Sequence, residues 1–337
     1  MRLKRWDPSS PALRRRRRGR GFSYTDVDGD RVTDAETLDR IRALVIPPAW
    51  RDVRICPWPH GHLQAVGVDD AGRRQYLYHQ QWRARRDREK FVRVREFAQR
   101  LPAAREQIAH DLQSRGLNQR RVLAAAARLL DVGFFRVGSE QYAQDNGSYG
   151  LATVLAGHVD IGRNGALTFT YPAKSGQQRA HSVVDQDVAR VLRSLRSRRG
   201  QDETLLAYYQ AGTWHNVTSD DINAYLREVF GGDVSAKDFR TWHGTVLTAV
   251  ALATTDQPRA SRTAKQRAKV QAIKDVSDYL DNTPAVCRSS YVDPVVLDAF
   301  DRGETVHHAL GDETLGAAGE FRPHSDVEQA VLDLLRS

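Results

Sequence analysis

The sequence predicts an α+β protein: a small antiparallel β-sheet domain, then a mostly α-helical domain carrying a β-hairpin. Three observations carry this. Short apolar-alternating runs with turn residues between them fill residues 22–88. From Phe91 onward, apolar residues recur at three- and four-residue spacing. Asn164-Gly165, a strong hairpin turn, separates Val159-Asp-Ile161 from Leu167-Thr-Phe-Thr-Tyr171. At 337 residues the chain is long enough for a core in each domain.

Residues 1–21 hold Arg14 to Arg18 in one block among Pro, Ser and Gly. Like charges repel and little there is apolar, so this segment reads as a mobile basic arm. In residues 22–88, Tyr24 to Gly29 reads as a strand entering a turn. Thr33-Asp-Ala-Glu36 has capping-box spacing, and Leu38, Ile41 and Val45 follow on one helical face. Pro47-Pro48 ends that helix. Val53 to Pro57, His62 to Val68 and Arg74 to His79 read as strands, with Asp69 to Gly72 as a hairpin turn.

The charge-dense run from Arg83 to Lys90 reads as the domain boundary, so residues 89–337 form the second domain. Helices are predicted over Phe91 to Leu112, Arg121 to Phe135 and Asp185 to Arg198. Another follows the N-cap cluster at Thr218 to Asp221, and two more span Lys237 to Ala253 and Arg262 to Leu280. Val327, Val331 and Leu334 share a helical face, so the C-terminal segment is expected to dock. There is no internal repeat.

Formal charge is +9, from 51 Lys and Arg against 42 Asp and Glu. This favours an anionic partner, most simply nucleic acid. A membrane surface is the weaker alternative, because no run approaches the ~18 apolar residues of a span. No apolar stretch follows the N-terminal charges, so no secretory signal is read. Cys56 and Cys287 are too few for a disulfide framework, which suits a reducing, cytoplasmic compartment. His60 and His62 have no nearby carboxylate to complete a metal ligand set, and no cofactor is expected.

Four residues stand out. Arg136 lies in Phe-Phe-Arg-Val-Gly-Ser-Glu, and Lys174 in Tyr-Pro-Ala-Lys-Ser-Gly. Arg240 lies in Lys-Asp-Phe-Arg-Thr-Trp-His-Gly-Thr, and Tyr291 in Cys-Arg-Ser-Ser-Tyr-Val-Asp-Pro. One phenol, two guanidiniums and one ammonium suffice for metal-free phosphoryl transfer through a covalent tyrosine. Arginine grips two phosphate oxygens at once and stays protonated. Lysine in a partly dry site can protonate a leaving oxygen. Taken singly, each arginine is more often a surface charge. Gln75, Tyr76 and Tyr78 form a polar–aromatic strand after Arg73-Arg74, readable as a half-buried strand or as a ligand face. His243 follows Arg240 by three and so shares its helical face, where a packing or supporting role is expected.

The chain resembles type IB DNA topoisomerases of the compact poxvirus and bacterial kind. The similarity spans roughly residues 22–300 and runs in family order. It includes Phe135 to Thr153, Lys174-Ser-Gly, Asp238 to Thr245 and Ser289 to Pro294. In the first domain it includes Ile46 to Val53, Gly61 to Gln64 and Gly72 to His79. The resemblance implies a catalytic domain related to tyrosine recombinases and a monomer clamped around duplex DNA. It implies that supercoils of either sign relax without ATP or metal. Arg136 and Arg240 would clamp the phosphate, Lys174 would protonate the 5′-oxygen, and Tyr291 would form a 3′-phosphotyrosyl bond. The family's fifth position, usually histidine, falls on Asn282, which also suits a helix C-cap. Asparagine can donate one hydrogen bond to a phosphate oxygen but cannot become cationic. The resemblance favours a DNA-facing surface with Arg73, Gln75, Tyr76 and Tyr78, and Asn146, Tyr149, Lys90, Arg93 and Arg179 are looser expected DNA contacts.

A tyrosine recombinase or integrase is the nearest alternative. Recombinases usually place histidine three residues before the second arginine, where this chain has Lys237, and their N-terminal domains are helical. A non-catalytic architectural DNA-binding protein would share the basic charge but would not need Tyr291 with four supporting groups in order.

Overall fold

The computed structural model describes residues 2–140, 143, 147–172, 178–198, 200–255, 261–310 and 325–336. The chain divides into two compact units, Met1–Val92 and Arg93–Ser337.

The first unit is built on a five-stranded antiparallel sheet. Its strands are β1 (Leu13–Arg18), β2 (Gly21–Thr25), β3 (Arg51–Ile55), β4 (Leu63–Val68) and β5 (Arg74–Tyr78), in the order β2-β1-β3-β4-β5. Register explains its two faces. Leu13 pairs with Ile55, Ile55 with Ala65, and Ala65 with Leu77. That row packs against Ile41 of helix α1 (Ala35–Ala43). The adjacent row runs Arg14, Arg54, Val66, Tyr76 and, by strand alternation, faces the other way.

The arginine run is therefore a strand and not a mobile arm. Strand alternation resolves the charge conflict by sending neighbouring side chains to opposite faces. Arg15 donates to the carbonyls of Ile46 (3.2 Å), Pro47 (3.0 Å) and Trp50 (2.7 Å), and its guanidinium lies over the Phe22 ring. Arg14, Arg16 and Arg18 stay exposed on the opposite face. The helix cap is also one residue later than its capping-box spacing suggests: Asp34 accepts from the Thr37 amide at 2.8 Å.

Residues 83–90 lie inside a 33-residue helix, α2 (Gln80–Leu112), which begins in the first unit and continues into the second. Dense charge suits an exposed helix here because Glu89 pairs with both Arg85 and Arg86.

The second unit gathers its helices around one large core. α3 (Gln119–Gly133) is buried along most of its length. A three-stranded sheet follows, β6 (Val159–Ile161), β7 (Ala166–Pro172) and β8 (Gln178–Val184), with β7 in the middle. α4 (Gln186–Arg196) leads to a hairpin that periodicity does not reveal, β9 (Ala207–Gln210) and β10 (Thr213–Asn216). Its turn residues, Ala211 and Gly212, have φ of 50° and 84°, so only one of the two is a turn-favouring type. α5 (Ser219–Phe230) and α6 (Ala236–Ala253) precede α7 (Arg262–Tyr279), α8 (Pro284–Ser290) and α9 (Pro294–Arg302). α10 (Ser325–Leu334) docks through Val327 and Val331, both buried, with Leu334 packed at the core margin. Among the described residues, no helix is long and apolar enough to cross a membrane.

Candidate active site

Two chain reversals carry the site. The first ends α3. Phe134 caps that helix in the left-handed conformation (φ 52°), which is strained for a bulky residue. Gly133 sits before it for packing: a Cβ there would lie 2.3 Å from the Phe135 ring. Arg136 then leaves the helix on a segment pinned by two main-chain bonds, Leu151 N to Arg136 O (2.9 Å) and Ala152 N to Val137 O (2.7 Å).

The second reversal ends α7. Asp281 is left-handed (φ 52°). The Asn282 amide donates to Ser277 O at 2.8 Å and the Asp281 amide to Asp278 O at 3.2 Å, the two bonds of a Schellman motif with Asp in the usual glycine place.

The two arginines lock these turns together. Arg240, on α6, is only 3% exposed. Its Nη1 donates to Phe134 O (2.5 Å) and its Nη2 to Leu280 O (2.6 Å). Arg136 grips the next residues of the same turn. Its Nη1 donates to Asp281 Oδ2 (2.7 Å), and its Nη2 to Asp281 O and to Asn282 Oδ1 (3.1 Å). Asn282 Nδ2 turns back to Leu280 O at 3.0 Å.

Tyr291 is half-buried and caps α8, with its amide bonded to Cys287 O at 2.9 Å. The Arg240 guanidinium carbon lies 5.2 Å from the centre of its ring. Burial pushes the Arg240 pKa down to about 10; the Tyr291 hydroxyl opposes that shift, and the Arg136 and Arg179 charges reinforce it. Arg240 thus remains cationic at neutral pH. The hydroxyl and guanidinium interact, but no hydrogen bond of good geometry joins them, and the buried Nε of Arg240 has no partner.

The nucleophile's main chain is held by α6. Thr245 Oγ1 accepts from the Asp293 amide (3.1 Å) and shares its one proton between Thr241 O (2.9 Å) and Tyr291 O (3.2 Å). Asp293, 2% exposed, pairs with Arg95 at 2.8 Å. A Cβ on Gly244 would lie 2.7 Å from Tyr291 O and 2.9 Å from Tyr291 Cβ, so only glycine lets the helix pass this close. The Gly-Thr pair that ends the Arg240 motif is thus explained by contact with Tyr291, a signal present in the sequence but not read from it.

A buried polar network stands behind Arg240. Asp131 receives Arg105 through Nε and Nη2, both at 2.9 Å, with His243 Nε2 3.5 Å away. Burial pushes the Asp131 pKa up, but the His243 contact and the Arg105 fork outweigh it and hold the carboxyl well below the usual range. His243 is fully buried and packs edge-on against Phe134 at 4.5 Å between ring centres. Trp242 Nε1 donates to Glu328 of α10 at 3.0 Å, and Arg105 Nη1 bonds the same carboxylate at 2.5 Å. The C-terminal helix is thereby tied to the helix that carries Arg240. His181, on β8, is pushed down to about 4 by burial and then by the Arg179 and Arg240 charges, so it is neutral near pH 7.

Lys174 and Asn146 lie outside the described residues. Tyr149 packs edge-on against His158 at 4.7 Å. Arg179, its side chain 10% exposed, lies 3.7 Å from Asp281 and so belongs to the site. Arg93 pairs with Asp238 at 3.1 Å, and Lys90 lies over the Phe91 ring. In the first unit, Tyr76 (44% exposed) and Tyr78 (37%) stack on one face with ring centres 6.2 Å apart. Gln75 lies on the opposite face, where Nε2 bonds Asp69 Oδ2 at 2.8 Å, and Arg73 Nε bonds the same oxygen at 3.0 Å. Gln75 and the tyrosines therefore do not form one surface.

Residues 79–303 match the family model for the eukaryotic DNA topoisomerase I catalytic core, and residues 21–69 match that for the bacterial DNA topoisomerase IB N-terminal domain. The chain belongs to the type IB DNA topoisomerase family. It is similar to DNA topoisomerase 1B of Acanthamoeba polyphaga mimivirus, with 29% identity over 293 residues, 85% of this chain and 86% of that one. As a type IB topoisomerase it acts on duplex DNA. The β1 arginines precede both matched regions of the topoisomerase.

Proposed function

We propose that this topoisomerase relaxes positive and negative supercoils by nicking, swivelling and resealing one strand, without ATP or metal. The Tyr291 oxygen attacks the scissile phosphorus. A P–O bond to tyrosine forms as the bond to the 5′-oxygen breaks, the phenolic proton leaves to solvent, and the 5′-oxygen takes a proton from Lys174. Arg136 and Arg240 neutralise charge on the non-bridging oxygens, and Asn282 donates one hydrogen bond to them. The 5′-end rotates about the intact strand, driven by torsion in the DNA. Its hydroxyl then gives its proton back to Lys174 and attacks the phosphotyrosine; the P–O bond to Tyr291 breaks as the original bond re-forms, and the phenolate takes a proton from solvent.

The observation that carries this reading is Arg240: a buried cation beside the Tyr291 ring whose Nε has no partner. A buried, unmatched donor costs about 1–3 kcal/mol, which a phosphate oxygen would recover. The Arg–Lys–Arg–Tyr set also relates the catalytic unit to tyrosine recombinases. In the first unit, the exposed Arg14, Arg16 and Arg18 share a sheet face with Tyr76 and supply the backbone contacts of a DNA clamp. Tyr78 adds a contact on that face; Arg73 and Gln75, held by Asp69 on the other face, and Asn146 and Tyr149 add contacts elsewhere. The enzyme works as a monomer closed around DNA, prefers supercoiled substrate and is associated with the nucleoid.

The test is relaxation of positively and negatively supercoiled plasmid in EDTA without ATP. Both are expected to relax. Relaxation of one sign only, or a strict need for Mg²⁺, would contradict the mechanism.

A further inference from the structure

We infer that Asp281 is an internal stand-in for the scissile phosphate, holding Arg136 in the DNA-free enzyme and giving it up for cleavage. This rests on Arg136 being the phosphate-gripping residue of the proposed mechanism.

Donor count decides which grips are open to Arg136. A guanidinium has five N–H groups. Either fork that can grip a phosphate with two bonds, Nη1 with Nη2 or Nε with Nη2, uses Nη2. In this enzyme both Nη2 protons are already committed, to Asp281 O and to Asn282 Oδ1. Nη1 is bonded to the Asp281 carboxylate. Arg136 therefore cannot take a phosphate by either fork until the 281–282 turn lets go.

The chemistry of the holder matches that of the substrate. A carboxylate offers two anionic oxygens to a guanidinium, as a phosphodiester does. The Asp281 carboxylate also lies 3.7 Å from Arg179, so it faces two cations at once. It is accessible, with its side chain 34% exposed, and an entering phosphate can compete for both. The left-handed backbone at Asp281 lets its carbonyl and its carboxylate both reach Arg136. Asp and Asn are among the few residues that tolerate this conformation.

The rival explanation is that Asp281 stays on Arg136 through the reaction and orients it. The two make opposite predictions for Asp281→Asn, which keeps the backbone preference and removes the charge. Single-turnover cleavage of a suicide duplex, at subsaturating enzyme, should be compared for wild type, Asp281→Asn, Arg136→Ala and the double variant. Loss of one charged contact predicts about tenfold faster cleavage by Asp281→Asn. In the Arg136→Ala background the same change should have no effect. Slower or unchanged cleavage by Asp281→Asn overturns the proposal. So does an equal acceleration without Arg136, which would mean general charge removal. If Asp281→Asn does not fold, Asp281→Gly keeps the left-handed turn and carries the same expectation. Wild-type-like cleavage by Arg136→Ala would instead sink the assignment of Arg136 itself.

Discussion

Tyr291→Phe is expected to abolish DNA relaxation while leaving DNA affinity and folding close to wild type. The phenyl ring keeps its place beside Arg240, whose guanidinium lies 5.2 Å from the ring centre. The main-chain bonds to Cys287 and Thr245 do not involve the hydroxyl. Only the nucleophilic oxygen is lost. Removing the nucleophile of a covalent catalyst typically lowers turnover by roughly 10⁴-fold or more. Plasmid relaxation and band-shift assays on the same preparation separate chemistry from binding. Residual relaxation within tenfold of wild type would mean that another group attacks the phosphate.

Arg240→Ala is expected to act twice. Loss of a buried charge donor at the reacting phosphate should slow single-turnover cleavage by about 10²–10³-fold. Phe134 O would also lose the donor Nη1, and Leu280 O would keep only Asn282 Nδ2. Leaving such groups unmatched should destabilise the second unit by about 1–3 kcal/mol. Arg240→Lys keeps the charge but cannot reach both carbonyls, so it should fall between alanine and wild type in both measures. Cleavage rates with thermal unfolding on each variant would check this. A slow but fully stable alanine variant would mean that the turn-locking bonds contribute little.

The same double duty explains what was legible in the sequence. Arg136 and Arg240 are charges beside apolar residues, weak signals singly; the family resemblance sets them together with Tyr291, and the structure puts both arginines on one pair of chain reversals with the Tyr291 ring beside Arg240. What joins them was not legible. Phe134 and Asp281 both adopt left-handed backbone, a role read from sequence only when glycine or asparagine fills it. Gly244 was visible, but its reason, the 2.7 Å approach to Tyr291 O, depends on two segments 47 residues apart. The Asp131–Arg105–Glu328 network joins three helices and leaves no local spacing pattern.

In the first unit the misreading was one of context. Five successive arginines suggest a solvated arm, because charge repulsion is the only local term. Tertiary partners decide otherwise: β2 and β3 pair with the run, and three main-chain carbonyls accept from Arg15. Residues 83–90 repeat the lesson, since their charges pair along a helix. The β9–β10 hairpin escaped because its turn places alanine, not glycine or asparagine, at a positive φ.

The central claim is that Tyr291 becomes covalently joined to the 3′-phosphate within the Arg136–Arg240 site. It is tested most directly by trapping the enzyme on a suicide duplex in EDTA, digesting it and identifying the nucleotide-bearing residue by mass spectrometry. The account predicts a 3′-phosphotyrosyl peptide at Tyr291. An adduct on another residue, a 5′ linkage, or complete turnover with no protein–DNA adduct would contradict it.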